Sequence, residues 1–479
     1  MDAIVPAQGC PACALLAEQV KLLREQVSRL EEQVRQLQAR LDQDSSNSHK
    51  PPSSDPPWAR KPSPKKPTGR KPGGQAGHQG HHRQRLPPER VDRYVDHIPS
   101  QCRHCRAALP KRPGPADPPS SWHQVAELPE IAAVVTEHRG HARTCRRCGK
   151  LTRAPIPTDV REHVIGPRLA AAMSYLAGRC HDGRRTIAEL VEDLFGVPLS
   201  LGSVSNYEAH TADALAHAHD QALAAVRSAA VKHVDETGWK RAGKRRWLWT
   251  AVALGAAATR TAACFAVQAK RSWLAACDLL GRRGGRGVIT SDRHRLYDPL
   301  GVRRRQVCWA HLKRDFVKWQ EKGDTTRLLG DDGLELCKRL FGLWRDFRER
   351  KLSSRSALRR SVRPLRRRLG QILRWGKGCG DPKAANFCRN LLKLGPALWT
   401  FARVDGVEPT NNPAERALRP AVLWRKNSFG CHGEGGCRFA ERMLTAVQTL
   451  RLQGRNVLAF LCHTLTAHRQ GLPLPALIR

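Results

Sequence analysis

Acid is scarce in this sequence. Over 479 residues, 43 aspartates and glutamates stand against 83 lysines and arginines, a formal charge of +40. The excess runs through most of the chain and is not confined to a tail. Alone, such a chain would repel itself, so a polyanion is the expected partner, and nucleic acid fits that distribution. Long hydrophobic runs are missing as well. No apolar stretch approaches the roughly 18 residues of a membrane span, and no signal peptide opens the chain, which leaves a cytoplasmic protein with no membrane partner as the expectation. Secretory disulfide spacing is also lacking: most of the 16 cysteines are scattered singly, as buried thiols are. Hydrophobic residues make up 40% of the chain, enough for a sizeable core, and the length allows about two to four domains.

Residues 14–42 repeat with period seven. Leu16, Leu23, Leu30 and Leu37 fall on one seam position and Val20, Val27, Val34 and Leu41 on the other. Valine and leucine in these places favour a parallel two-stranded coiled coil, hence a homodimer, with an intramolecular antiparallel hairpin as the alternative. Residues 43–94 are rich in Pro, Gly, Lys and Arg and too poor in apolar residues to bury a core, so they read as a disordered basic linker or an arm along a DNA groove. Residues 95–155 carry Cys102 and Cys105 in CRHC and Cys145 and Cys148 in CRRCGK. Four thiolates at that spacing suit tetrahedral Zn²⁺, with Gly149 easing the second turn, and no thioredoxin-like unit is nearby to suggest redox work. The pair Cys10 and Cys13 in CPAC stands alone and reads as reduced thiols or a weak metal site. Residues 160–230 are helical. A Gly-Val-Pro break at 196–198 makes them resemble a DNA-binding helix-turn-helix, although the second helix is acidic and a plain connector is the other reading.

The next block has the order three strands, helix, strand, connection, strand, helix. AAVKHVDETGWK is expected as a strand ending in Asp235, with a turn near Gly243, and GVITSD as a buried strand ending in Asp292. This is the order of a ribonuclease H-like sheet, in which the first and fourth strands are neighbours. Strands about 4.8 Å apart would bring Asp235 and Asp292 to one point. Glu415, just inside a helix begun by TNNPAER, is the third carboxylate. Together they would hold Mg²⁺ (or Mn²⁺), hard cations that take oxygen ligands and keep positions open for water and phosphate. The expected fold is therefore an α/β catalytic core over 231–322 and 405–445 with a ribonuclease H-like mixed sheet. A helical insertion at 323–404 and a helical segment at 446–479 complete it, beside the coiled coil, zinc module and helical DNA-binding region.

VDETGW, SDRHRLY, CWAHLKRDF and TNNPAERALRPAVLWRKNSFG resemble the corresponding blocks of DDE transposases of insertion sequence family 66. The resemblance extends over nearly the whole chain. It implies that Asp235, Asp292 and Glu415 are the catalytic triad and that the protein cuts and joins double-stranded DNA at element ends and target. It further implies a bacterial, nucleoid-associated protein working as a homodimer or larger synaptic assembly, with accessory transposition proteins as further partners. Asn411, Asn412 and Pro413 are expected to cap the Glu415 helix. Arg416 and Arg419 should face phosphate, and Arg425 and Lys426 extend a positive track. Cys308 and His311 form a C-x-x-H pair, read as a packing thiol beside a DNA-facing imidazole because two ligands alone hold zinc poorly. GCHGEGGCRF at 430–439 is expected as a flexible DNA-contacting loop. A ribonuclease H-like nuclease or resolvase, and a catalytically silent DNA-binding regulator, are the competing readings.

Overall fold

A computed structural model describes residues 11–41, 84–112, 114–115, 117–118, 121–129, 131–255 and 261–478. Cys10 and most of the basic segment 43–94 lie outside the described residues. The first helix, α1 (Pro11–Leu41), is continuous for 31 residues. Its seam residues Val20, Leu23, Val27, Leu30 and Leu37 are all exposed, so no described residue covers its apolar stripe.

The described residues between 84 and 134 belong to a compact unit of their own. Within it Gln124 holds the backbone of Leu86 on both sides, accepting from its N–H (2.8 Å) and donating to its carbonyl (3.2 Å). An antiparallel bridge between Gln101 and Ala108 closes the turn that carries Cys102 and Cys105. The second pair, Cys145 and Cys148, belongs to the other unit, at the tip of the hairpin β1 (Ala142–Thr144) and β2 (Leu151–Arg153). Both tips are the same turn. Arg106 N–H donates to the Cys102 carbonyl (2.9 Å) and Gly149 N–H to that of Cys145 (2.8 Å), with φ +61° and +68° at these residues. Glycine takes that left-handed conformation freely, whereas Arg106 adopts it against its side chain's preference.

The larger unit continues through α2 (Thr158–Arg161), α3 (Pro167–Tyr175), a π-turn at Leu176–Cys180, α4 (Arg184–Phe195), α5 (Leu201–Ala214) and α6 (Ala216–Ser228). Gly196, at φ +65°, ends α4, and the Ser200 hydroxyl caps α5 by accepting from Ser203 N–H at 3.1 Å. Two helices joined by a short turn thus lie where the Gly-Val-Pro break indicated. The second is not a free reading head over its whole surface, because Val204, Tyr207, Thr211 and Ala212 are buried.

The sheet follows: β3 (Val231–Arg241), β4 (Lys244–Ala253) and β5 (Ala262–Gln268), then α7 (Trp273–Leu280), β6 (Val288–Ser291) and β7 (Arg305–Val307). The β3–β4 hairpin turns through Ala242 (φ +49°) and Gly243 (φ +72°), the two successive left-handed residues that a tight hairpin prefers. The order across the five-stranded sheet is β5-β4-β3-β6-β7. β3, β4 and β5 are antiparallel, whereas β6 pairs parallel with β3 and β7 parallel with β6. The mixed α/β sheet with its first and fourth strands adjacent is as expected.

The chain closes with α8 (Trp309–Glu321), α9 (Asp324–Arg348), α10 (Arg355–Ser361), α11 (Arg363–Gly376), α12 (Pro382–Lys393), α13 (Asn412–Ser428), α14 (Glu434–Leu452) and α15 (Val457–Arg469). The proposed boundary at 445/446 falls inside α14, since the apolar stripe from Phe439 to Leu450 is unbroken and buried. One apolar core joins α3–α6, one sheet face, α14 and α15. A second sits among α8–α12, where Phe316, Leu340, Leu369 and Phe387 meet. The third packs Trp239, Leu248 and Phe265 of the other sheet face against Ala417, Leu418 and Leu444, which seats α13 directly over β3 and β4.

Candidate active site

Asp235 lies in the middle of β3, not at its end. The apolar run VKHVD suggested a strand that stops there, but β3 stays paired with β4 as far as Arg241. What stops is β6 on the other side. The parallel register pairs His233 with Thr290, and two residues further along lie Asp235 and Asp292, the latter just past the last residue of β6. Neighbouring strands are about 4.8 Å apart, so the two aspartates stand side by side where the sheet opens.

Each is fixed by its surroundings. Asp292 Oδ1 accepts from His294 N–H (2.9 Å), and its main-chain carbonyl accepts from Arg305 Nη2 (2.7 Å). Arg305 is itself buried and also reaches the Ser291 hydroxyl (3.2 Å) and the His294 carbonyl (3.2 Å), so one guanidinium shapes the turn that presents Asp292. Arg293 joins that turn to α8 through a two-pronged pair with Asp315, at 2.6 and 3.0 Å. On the far side of β3 the Glu236 carboxylate is held by the Tyr297 hydroxyl (2.7 Å) and by Arg271 (2.6 Å), whose Nη2 is also 3.9 Å from Asp292 Oδ2.

Glu415 stands in the first turn of α13. Its Oε1 is 3.9 Å from Cys308 Sγ and 3.4 Å from His311 Nδ1, and its Oε2 is 3.8 Å from Arg314 Nη2. The helix is not capped by Asn411 as expected. The Asn411 side chain instead donates to the Val234 carbonyl at 2.8 Å, while its own N–H donates to Cys308 Sγ at 3.2 Å. The buried carbonyl of β3 competes successfully for the amide, and Pro413 in the first turn has no N–H to satisfy.

Charge in this cleft is under-compensated. Burial, then the negative charges of Glu236, Glu415 and Asp292, push the Asp235 carboxyl well above the usual carboxylate range. Burial and Asp292 also raise Glu236, against the pull of Arg271 and Tyr297. Burial and the neighbouring Arg314 lower His311, leaving its imidazole neutral near pH 7. Burial and Glu415 raise the Cys308 thiol to about 12. Among the described residues, the group of three whose ligand atoms all lie within 4.8 Å of one another is Cys308, His311 and Glu415, so in this structure Glu415 stands with the thiol and imidazole and is felt by Asp235 as a neighbouring charge.

The expected DNA-facing residues divide. Arg416 and Arg419 are exposed and, with Arg179 and Arg451, line a groove of about 640 Å³ with an apolar floor that includes Pro413 and Leu423. None of the three carboxylates is in that lining; the arginine beside Glu415 is Arg314. Asn412 is exposed and Lys426 half-buried. Arg425 is not part of an open track, because its Nη1 donates to the Thr237 hydroxyl (3.0 Å) and the Gly238 carbonyl (2.6 Å). Nor is 430–439 a loose loop: Cys431 exchanges backbone hydrogen bonds with the β3–β4 hairpin, accepting from Ala242 (2.8 Å) and donating to Lys240 (2.9 Å), and α14 begins at Glu434. Among the described residues no helix is long and apolar enough to cross a membrane.

The stretch that builds this cleft, residues 163–438, matches the family described as Transposase IS66 family. The chain belongs to that family of transposases. Residues 8–84 of this IS66-family chain also match a family of unknown function. Two proteins of Sinorhizobium fredii are similar to it. The uncharacterized protein y4qI is 30% identical over 205 residues, which is 40% of this chain and 37% of that protein. The uncharacterized protein y4hP is 25% identical over 360 residues, 67% of this chain and 63% of that protein. The IS66-family chain therefore spans less than two thirds of the length of either relative.

Proposed function

We propose that this protein binds the terminal inverted repeats of its insertion sequence and catalyses metal-dependent DNA strand cleavage and strand transfer, with Asp235, Asp292 and Glu415 as the metal-holding triad. The observation that carries this reading is the register of β3 and β6, which sets Asp235 and Asp292 side by side under the first turn of α13. The strand order supports a ribonuclease H-like core, and residues 323–404 a helical insertion in it. Mg²⁺ or Mn²⁺ held there would activate a water or 3′-hydroxyl oxygen and stabilise the oxygen that departs. The chain's own part is to orient. Arg305 and His294 N–H fix the Asp292 turn, Asn411 ties α13 to β3, and Arg314 stands ready to balance phosphate charge beside Glu415. Arg416 and Arg419, with Asn412 at the start of the helix and Lys426 further along it, would grip the DNA backbone, and the neutral His311 would meet it at the cleft.

The remaining segments serve assembly in this reading. Residues 14–42 form the dimer coil, 95–155 a zinc module built on its two matched turns, and 160–230 a helical DNA-binding region. A cytoplasmic, nucleoid-associated protein would follow. The decisive experiment changes Asp235, Asp292 or Glu415 to Ala. Each should lower Mg²⁺-dependent cleavage and joining of end-bearing DNA by at least about 10³-fold while DNA binding persists. Parental rates in any one variant would remove that residue from the triad, and parental rates in all three would leave a DNA-binding regulator.

A further inference from the structure

Cys308, His311 and Glu415 offer one ligand atom each, all within 4.8 Å of one another. From the sequence the C-x-x-H pair lacked a third ligand, and α13 supplies it. For tetrahedral zinc, Zn–S near 2.3 Å and Zn–O or Zn–N near 2.0 Å place the donor atoms roughly 3.3–3.5 Å apart. The observed 3.4 Å from His311 Nδ1 to Glu415 Oε1 already fits, and 3.9 Å from Cys308 Sγ to the same oxygen needs a shift of a few tenths of an ångström. Two further features mark the place as built for a ligand. His311 Nδ1 is buried without a hydrogen-bond partner. Cys308 Sγ lies at the start of α8 and receives the Asn411 N–H at 3.2 Å, so the sulfur is oriented towards Glu415 and a metal would have to displace its proton to bind it. The His311 and Glu415 side chains are 28% and 29% exposed while Cys308 is buried, so an ion would reach the sulfur from the Glu415 side of the cleft.

We propose that these three side chains form a soft-metal site, of the zinc and cadmium class, whose occupation draws Glu415 away from Asp235 and Asp292 and stops strand cleavage. The inference rests on the assignment of Glu415 made above. On binding, the Cys308 S–H bond breaks, its proton passes to solvent and a sulfur–metal bond forms. Thiolate and imidazole select zinc over magnesium, which prefers oxygen alone. The same carboxylate would then answer to two metals: shared with the aspartates it serves catalysis, and shared with sulfur and nitrogen it is withheld.

The test uses the full chain, purified with zinc in its cysteine pairs and titrated with Co²⁺. One further equivalent should bind with a sulfur-to-cobalt charge-transfer band, in the parent and in Cys431→Ser alike. Cys308→Ser should lose the band, and both Cys308→Ser and His311→Gln should bind at least about tenfold more weakly. A second arm measures Mg²⁺-dependent cleavage: micromolar zinc should slow the parent at least about tenfold and Cys308→Ser less than about twofold. A band unchanged in Cys308→Ser, no band in the parent, or unchanged affinity in His311→Gln would overturn the site. Cleavage by the parent that ignores zinc would overturn its role. A chain that binds cobalt as described but never cuts DNA would instead fail the reading of the triad.

Discussion

The Asn411 side chain donates to the Val234 carbonyl across 2.8 Å, tying the residue ahead of α13 to the residue before Asp235. That hydrogen bond works beside the Trp239–Leu418 packing and the Arg425 bonds to Thr237 and Gly238 to hold the helix that carries Glu415 against the strand that carries Asp235. Because both partners are buried, loss of the donor leaves a main-chain carbonyl unsatisfied. Asn411→Ala should cost about 1–3 kcal/mol of stability. It should also lower cleavage about 10²-fold by misplacing Glu415, while end binding stays near parental. Asn411→Asp should do no better, since an ionised carboxylate cannot donate. Denaturation midpoints and single-turnover rates on the two variants check this, and parental rates in both would show that Glu415 is placed by other contacts.

The burial that raises Asp235 makes a separate prediction for the metal-free protein. A carboxyl whose folded value lies above its unfolded value contributes stability below the ordinary carboxylate range, and that contribution is lost as pH rises through the raised value. At neutral pH in chelator Asp235 therefore works against the fold. Asp235→Asn should melt higher than the parent in EDTA, and the gap should close as pH falls towards 4. Mg²⁺ should raise the melting temperature of the parent and not of the variant. An equal response to Mg²⁺ in both would mean that Asp235 does not hold the ion.

The strand order was legible in sequence because alternating apolar residues and a left-handed turn at Gly243 are local signals, whereas the apolar run before Asp235 suggested a strand end that the pairing with β4 carries on to Arg241. The partners that orient the two aspartates were not legible. Arg305 stands in a run of three arginines, of which Arg303 is exposed, Arg304 half-buried and Arg305 buried, and no local pattern tells them apart. Cys308 and Glu415 meet across 107 positions, with α9–α12 between them. Asn411 looks like a helix cap because its neighbours do, and only the carbonyl of β3, far off in sequence, redirects its amide. Local chemistry singled out the carboxylates as candidates, and tertiary contacts decide what surrounds them.

The two cysteine turns carry a further expectation. In each, the first thiol is pulled below its ordinary value by hydrogen bonds from the turn: Cys102 by the backbone of Cys105 and His104, and Cys145 by the backbone of Cys148 and Arg147. Lowered thiols in matched turns are ready metal ligands. The protein should contain one zinc per chain bound by Cys102, Cys105, Cys145 and Cys148, and a chelator should expose residues 95–155 to protease, since metal binding is folding energy in such small modules. Elemental analysis finding no zinc in protein purified without chelators would remove the module.

The exposed seam of α1 bears on assembly. Val20, Leu23, Val27 and Leu30 recur at period seven on a helix where no described residue covers them, and a parallel copy of the same helix is the simplest surface that would bury them. About four heptads give a limited energy, so the coil alone need not hold two chains at low concentration. On paired DNA ends the chains are brought together, and the second contact becomes effectively intramolecular. Replacing Leu23 and Leu30 by Glu should therefore weaken paired-end complexes at least about tenfold while single-end binding, carried by phosphate contacts of each basic chain, changes little. Light scattering of the complexes measures this: a mass of two or more chains on paired ends that persists unchanged in the double variant would place the pairing contact elsewhere in the protein.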